Sequence, residues 1–95
     1  MDDLRAHINA QSWDAHVDLH QAIRNARPIP AAFTQHQFPS PVPVTAWIVW
    51  EKDGLDLVDT NATHWSGRDI LVELLREPRS RYLAVWLAAL DARRR

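Results

Sequence analysis

The sequence contains no cysteine and only two glycines among its 95 residues. Without cysteine the chain has neither a disulfide framework nor a thiolate metal site. Two glycines leave no glycine-rich loop of the kind that holds phosphate groups. No apolar run approaches the roughly 18 residues of a membrane-spanning helix. Because Asp2 and Asp3 also stand where a signal peptide carries basic residues, we expect a cytoplasmic protein without a membrane segment.

An excess of charge of one sign is missing as well. Eleven basic and twelve acidic residues give a formal net charge of −1. A nucleic-acid-binding domain usually carries a clear positive excess. Here the only basic run is residues 93–95, which is shorter than the usual tract of roughly 5–8 residues. The charge balance therefore favours a protein partner over a nucleic acid.

No residue pattern predicts a catalytic or metal site. None of the four serines lies in a Gly-x-Ser-x-Gly sequence. His16 and His20 are four residues apart and would share a helix face, as zinc ligands often do, but no glutamate follows His16 as in zinc proteases. Two exposed histidines on a solvated face explain this pair more simply. We therefore expect no enzyme activity, no bound metal and no cofactor.

The first 26 residues have the pattern of an amphipathic helix. Asp2 or Asp3 can cap it. Apolar residues at helical spacing form one face, and these are Leu4, Ile8, Ala15, Leu19, Ala22, Ile23 and Ala26. A second cap at Ser12 would divide the segment into two shorter helices. We expect a single helix over residues 1–26.

Trp13 and Val17 lie on nearly the opposite side of that helix. An apolar patch away from the main stripe often marks a partner contact, so both are candidate partner-binding residues. The simplest version is a homodimer in which two helices pair around a two-fold axis. Alternatively, Trp13 folds back onto the rest of the chain.

A proline-rich connector is predicted over residues 27–43, which hold five of the six prolines. Proline removes a backbone donor and fixes φ, so neither a helix nor a central strand is expected there. Phe33 and Phe38 are expected to pin this connector to the following domain.

Residues 44–95 have the pattern of a small antiparallel β domain. Residues 44–51 favour a strand that ends at Lys52-Asp53-Gly54, and Asp-Gly between apolar runs is typical of a hairpin. Further strands are predicted over residues 55–58, 70–75 and 82–87, with turns at Ser66-Gly67 and around Pro78. A rival interpretation assigns helices to residues 70–76 and 81–95, which are rich in strong helix formers. The overall alternative is then a mostly α fold with one β-hairpin.

Three segments of this domain also carry a family resemblance. They are residues 48–54 (IVWEKDG), His64-Trp65, and residues 85–94 (VWLAALDARR). They resemble small uncharacterised proteins of actinobacteria and their phages, in which VWxxDG, RW and VWLPAADVRR recur. Ala88 and Ala92 depart from that pattern, which has proline and valine there. The resemblance implies an SH3-like barrel with a 3₁₀ turn before a short closing strand, so the predicted fold class is α+β.

The tryptophans supply the remaining candidate residues. By period-two alternation Trp47 and Trp50 lie on opposite faces of one strand, and we assign Trp50 to the core. Trp47 and Trp65 then form a candidate binding face, rimmed by Arg68 and Arg81. The resulting hypothesis is a non-enzymatic protein-interaction module, with a host or phage protein as partner if the resemblance holds. The alternative is a nucleic-acid accessory protein that uses arginines around these aromatic residues.

Overall fold

The computed structural model describes residues 19–95, and the sheet they form is antiparallel and five-stranded. The strands run in the spatial order β4-β3-β2-β1-β5. Short 3₁₀ turns precede β1 and β5. The bounds along the chain are Ala32–Thr34 (3₁₀), His36–Trp50 (β1), Gly54–Ser66 (β2), Asp69–Glu73 (β3), Ala84–Ala88 (β4), Ala89–Asp91 (3₁₀) and Ala92–Arg94 (β5).

The predicted α+β class is wrong, and so is the mostly α alternative. No α-helix lies within residues 20–95, and residues 20–26, where the N-terminal helix was expected to continue, are not helical and turn at residues 24–25. In this segment Ile23 forms an isolated bridge with Trp50, and Ala26 forms one with Leu87. The backbone hydrogen bonds that this segment makes to the strand edges outweigh the helix that its local sequence pattern predicts. The rest of the predicted helix, with Trp13 and Val17, lies outside the described residues.

The β1–β2 hairpin forms where the sequence predicts it. The turn over residues 51–53 leads into Gly54, whose φ of 74° is a conformation that favours glycine. Along β1 the side chains alternate, and those of Val44, Ala46, Ile48 and Trp50 point inward and are buried. The assignment of Trp50 to the core is confirmed.

Strand β1 begins at His36, inside the segment predicted to be a connector. His36 pairs with Trp65 and Gln37 with His64, and the register to β2 then shifts before Val42. The shift falls where Pro39 and Pro41 interrupt the ladder, because proline has no N–H to donate. Of the two phenylalanines, Phe38 packs against the core, whereas Phe33 is 90% exposed and pins nothing.

Strands β3 and β4 decide between the two interpretations of residues 70–95. Ile70 pairs with Leu87 and Val72 with Val85, in one antiparallel ladder. Leu87 and Val72 are fully buried, so pairing and burial outweigh the helix propensity of this segment. The strand interpretation is confirmed, as are the 3₁₀ turn and the short last strand that follow β4.

Residues 21–27 close the gap between the two edges of the sheet, and we call this segment the strap. Strand β5 pairs with β1 only at residues 44–46. Beyond that point the strap takes over, since the N–H of Arg24 donates to the carbonyl of Val49 at 2.7 Å. At the opposite edge the N–H of Arg27 donates to the carbonyl of Trp86 on β4, also at 2.7 Å. The strap therefore covers backbone groups that both edges would otherwise expose.

Candidate interaction surfaces

The outer side of the β1–β2 hairpin carries two apolar cross-strand pairs. Trp47 pairs with Leu57, and Val49 pairs with Leu55. Leu55 and Leu57 are 62% and 58% exposed, while Trp47 and Val49 are half-buried. We call these four residues the hairpin face. They lie on paired strands rather than on a loop, so the backbone holds them in fixed relative positions.

Charged residues lie at one end of the hairpin face. There Arg93 of β5 pairs with Thr45, whose hydroxyl donates to Asp59 at 2.7 Å. Arg93 is exposed. Glu51 lies in the turn that follows β1, and its carboxylate is 3.5 Å from the backbone nitrogen of Ala22 in the strap. The face is therefore an apolar patch with charged residues near one end.

Trp65 lies in a separate aromatic cluster at the far end of β2. Its indole stacks on the His36 ring, with ring centroids 4.2 Å apart, and Phe38 lies at 6.5 Å. Trp65 is 38% exposed. Leu57, the partner of Trp47, is eight residues away from Trp65 along β2, which corresponds to about 26 Å. Trp47 and Trp65 therefore do not form the single binding face that the sequence suggested.

The two predicted rim arginines also lie apart. Arg68 is exposed in the β2–β3 turn, where its carbonyl accepts a hydrogen bond from Ala89. Arg81 lines a cavity of about 430 Å³ between the strap and β4. Ile23, Tyr82 and Val85 also line that cavity. The four predicted residues that the structure describes thus fall into three regions: Trp47 on the hairpin face, Trp65 and Arg68 at the far end of β2, and Arg81 at the cavity.

Arg79 forms a charge cluster that no sequence pattern predicted. Its guanidinium lies 2.6 Å from a carboxylate oxygen of Asp56, 2.8 Å from Glu77 and 3.2 Å from Asp53. It also stacks over the buried ring of Trp50, at 4.4 Å from the centroid. The three acids come from the β1–β2 turn, β2 and the β3–β4 loop, so only the folded topology brings them together.

These contacts shift the pKa of the groups involved. Hydrogen bonds from Arg79 lower the pKa of Glu77 below its ordinary value. The pKa of Asp53 is also lowered, first by its hydrogen bond with Gln21 and then by Arg79. The pKa of Arg79 itself is raised, chiefly by its hydrogen bond to Glu77. Arg79 is therefore committed to its carboxylates and is poorly placed to bind phosphate.

Within residues 19–95 no group of three or more His, Asp or Glu side chains is arranged to hold a metal ion. His20 lines the cavity and His36 stacks on Trp65, while His16 is outside the described part of the chain. No helix in that same part has the length and apolar character needed to cross a membrane.

Comparison with known proteins found no match for this chain. No family model matches the sequence, and no curated protein or solved structure gives a significant match.

Proposed function

We propose that this protein is a cytoplasmic, non-enzymatic protein-interaction module whose main contact surface is the hairpin face. The observation that carries the proposal is the pair of apolar cross-strand contacts, Trp47 with Leu57 and Val49 with Leu55, on the outer side of the sheet. Complete burial of one exposed leucine is worth roughly 1.5–3 kcal/mol. Burial of this face against a partner would therefore contribute favourably to the free energy of binding.

Rigidity of the face supports the same function. At the level of this face β1 is paired with β2 on one side and held by the strap on the other, where the Asn25 side chain donates to the carbonyl of Trp47 and accepts from the N–H of Val49. Binding of a partner would therefore cost little conformational entropy for ordering this surface. Trp47 supplies the large aromatic side chain that often dominates the binding energy of protein interfaces.

The contacts and positions of the arginines favour a protein over a nucleic acid as the partner. Arg79 is paired with three carboxylates, and the guanidinium of Arg95 donates to the carbonyls of Val44 and Thr60. Arg68 and Arg81 lie in different regions of the surface. The nucleic-acid alternative predicts salt-dependent binding of a short oligonucleotide in fluorescence anisotropy, whereas we expect no such binding.

The function is tested by comparing two leucine variants of the full chain. Leu57→Glu places a charge on the hairpin face, and Leu83→Glu places the same charge on an exposed loop. Proteins captured by immobilised wild type from the source cells are quantified by mass spectrometry. We expect specific partners to be lost with Leu57→Glu and retained with Leu83→Glu, while both variants keep the β-sheet circular dichroism of the wild type. Equal retention by both variants would refute the role of this face.

A further inference from the structure

The cavity of about 430 Å³ between the strap and β4 is framed at both ends by backbone hydrogen bonds. At one end the N–H of Gln21 donates to the carbonyl of Arg79 at 2.8 Å, and at the other the N–H of Arg27 donates to the carbonyl of Trp86 at 2.7 Å. An extended peptide that passed through the cavity would have to break one of these bonds. The volume lies in the range of small-ligand sites. The cavity therefore suits a small molecule or a free chain end.

The inner wall of the cavity is apolar. Ile23 of the strap and Val85 of β4 both line it, and both pack against the buried core. Ala26 and Ala84 also line it. An apolar side chain placed against this wall would be removed from water, which favours binding.

Two backbone N–H groups face this cavity without a partner. The N–H of Leu74 donates to the carbonyl of Leu83, and hydrogen bonding alternates along an antiparallel ladder, so the N–H of Ala84 points away from β3 and toward the strap. The strap residues on either side of Ile23 both bond to β1, so the N–H of Ile23 points away from β1. Within the described part of the chain neither N–H has an acceptor. Unpaired N–H groups of this kind favour an anionic ligand.

The charged residues of the cavity also favour an anion. Arg81 lines the cavity, is exposed and forms no ion pair with another described residue. Its long side chain can reach a carboxylate bound beside it. Glu51 is the only acidic residue among the described residues that line the cavity, and its carboxylate lies 3.5 Å from the backbone nitrogen of Ala22.

From these features we infer that the cavity binds a carboxylate that carries an apolar side chain. The carboxylate lies near Arg81 and accepts a hydrogen bond from an unpaired backbone N–H, while the apolar side chain lies against Ile23 and Val85. A free apolar amino acid and the C-terminal residue of a peptide share this chemistry. The site has no residue in common with the hairpin face, so the inference does not depend on the proposed function.

The test is an NMR titration of the ¹⁵N-labelled full chain with N-acetyl-phenylalanine, and with N-acetyl-phenylalanine amide as the matched probe without a charge. We expect the acid to bind with a Kd below about 1 mM and to shift the amide signals of Ile23 and Ala84. The signals of Leu55 and Leu57 on the hairpin face should not move. The amide probe should bind roughly fivefold more weakly than the acid, because it lacks the charge.

Two arginine variants locate the contact with the carboxylate. Arg81→Met should weaken binding of the acid roughly fivefold and leave binding of the amide probe unchanged. Arg94→Met is the matched control, because Arg94 is also exposed but lies on β5 and does not line the cavity. This variant should bind both probes as the wild type does.

Free phenylalanine and N-acetyl-glycyl-phenylalanine distinguish the two sources of the carboxylate. Tighter binding of the free amino acid assigns the site to amino acids, since Glu51 attracts the ammonium group. Tighter binding of the dipeptide assigns it to peptide chain ends. Absence of shifts at Ile23 and Ala84 up to about 10 mM acid, equal binding of acid and amide, or an unchanged Kd in Arg81→Met would each overturn the inference. The capture experiment with Leu57→Glu would still decide the proposed function.

Discussion

At the scale of single residues, Arg79 does most to join distant parts of the chain. It contacts three carboxylates and the face of Trp50, and its backbone carbonyl accepts a hydrogen bond from Gln21 of the strap. Its side chain is only 21% exposed, so these contacts are partly shielded from water. The indole N–H of Trp50 is buried without a hydrogen-bond partner among the described residues, and the cation over the ring partly offsets that cost.

Replacing Arg79 should therefore change stability and its dependence on pH. Arg79→Met is expected to lower the free energy of unfolding at pH 7 by roughly 1–3 kcal/mol, because it removes several charge-assisted hydrogen bonds. The pKa of Glu77 and of Asp53 is lowered in the folded protein, so their stabilisation is present above the ordinary values of 4.5 and 3.8. It is lost as the pH falls through the lowered values. Urea unfolding at neutral and acidic pH measures both effects.

The control for this experiment is Arg81→Met. Arg81 is exposed and forms no ion pair with another described residue, so we expect a change below about 0.5 kcal/mol. In Arg79→Met the acid-induced loss of stability should be smaller than in the wild type, since protonation then relieves repulsion between unpaired carboxylates. An unchanged pH profile in Arg79→Met would contradict the assigned role.

At the scale of elements, the side chain of Asn25 in the strap acts as a substitute for a missing strand. Its amide nitrogen donates to the carbonyl of Trp47 at 2.7 Å, and its oxygen accepts from the N–H of Val49 at 2.9 Å. A neighbouring strand would make the same pair of contacts with its backbone. The amide also contacts Asp91 at 3.2 Å, which joins the strap to the 3₁₀ turn before β5.

Removal of the Asn25 amide should loosen this closure. Asn25→Ala leaves a carbonyl and an N–H of β1 without partners in a partly buried position, which costs roughly 1–3 kcal/mol. The measurement is the midpoint of thermal or urea unfolding. Asn61→Ala is the control, because Asn61 is also half-buried but makes no side-chain hydrogen bond with the described residues. Equal destabilisation by the two substitutions would show that Asn25 has no special role in closure.

At the scale of the whole molecule, patterns among neighbouring residues predicted the strands of the sheet. Contacts between residues far apart in the sequence determined the features that were not predicted. Asp53-Gly54 and the alternation along β1 identified the hairpin, since turn and strand patterns depend on near neighbours. The helical pattern of residues 1–26 failed in the strap because its backbone bonds go to β1 and β4. The separation of Trp47 from Trp65 follows from the length and pairing of β2. The Arg79 cluster depends on three distant segments, which no sequence pattern encodes.

The closure by the strap also predicts that the described residues unfold as one unit. Amide exchange with deuterium, followed by NMR, reports the free energy of opening at each N–H. The amides of Arg24, Arg27 and Glu51 bond between the strap and the sheet at 2.7, 2.7 and 2.9 Å. If the strap is part of the cooperative core, these amides should exchange about as slowly as those in the centre of β1 and β3. Exchange at least a hundredfold faster, or about 2.7 kcal/mol lower in opening free energy, would instead mean that the strap detaches while the sheet stays folded. In that case the edges of β1 and β4 would be open to pairing with other chains.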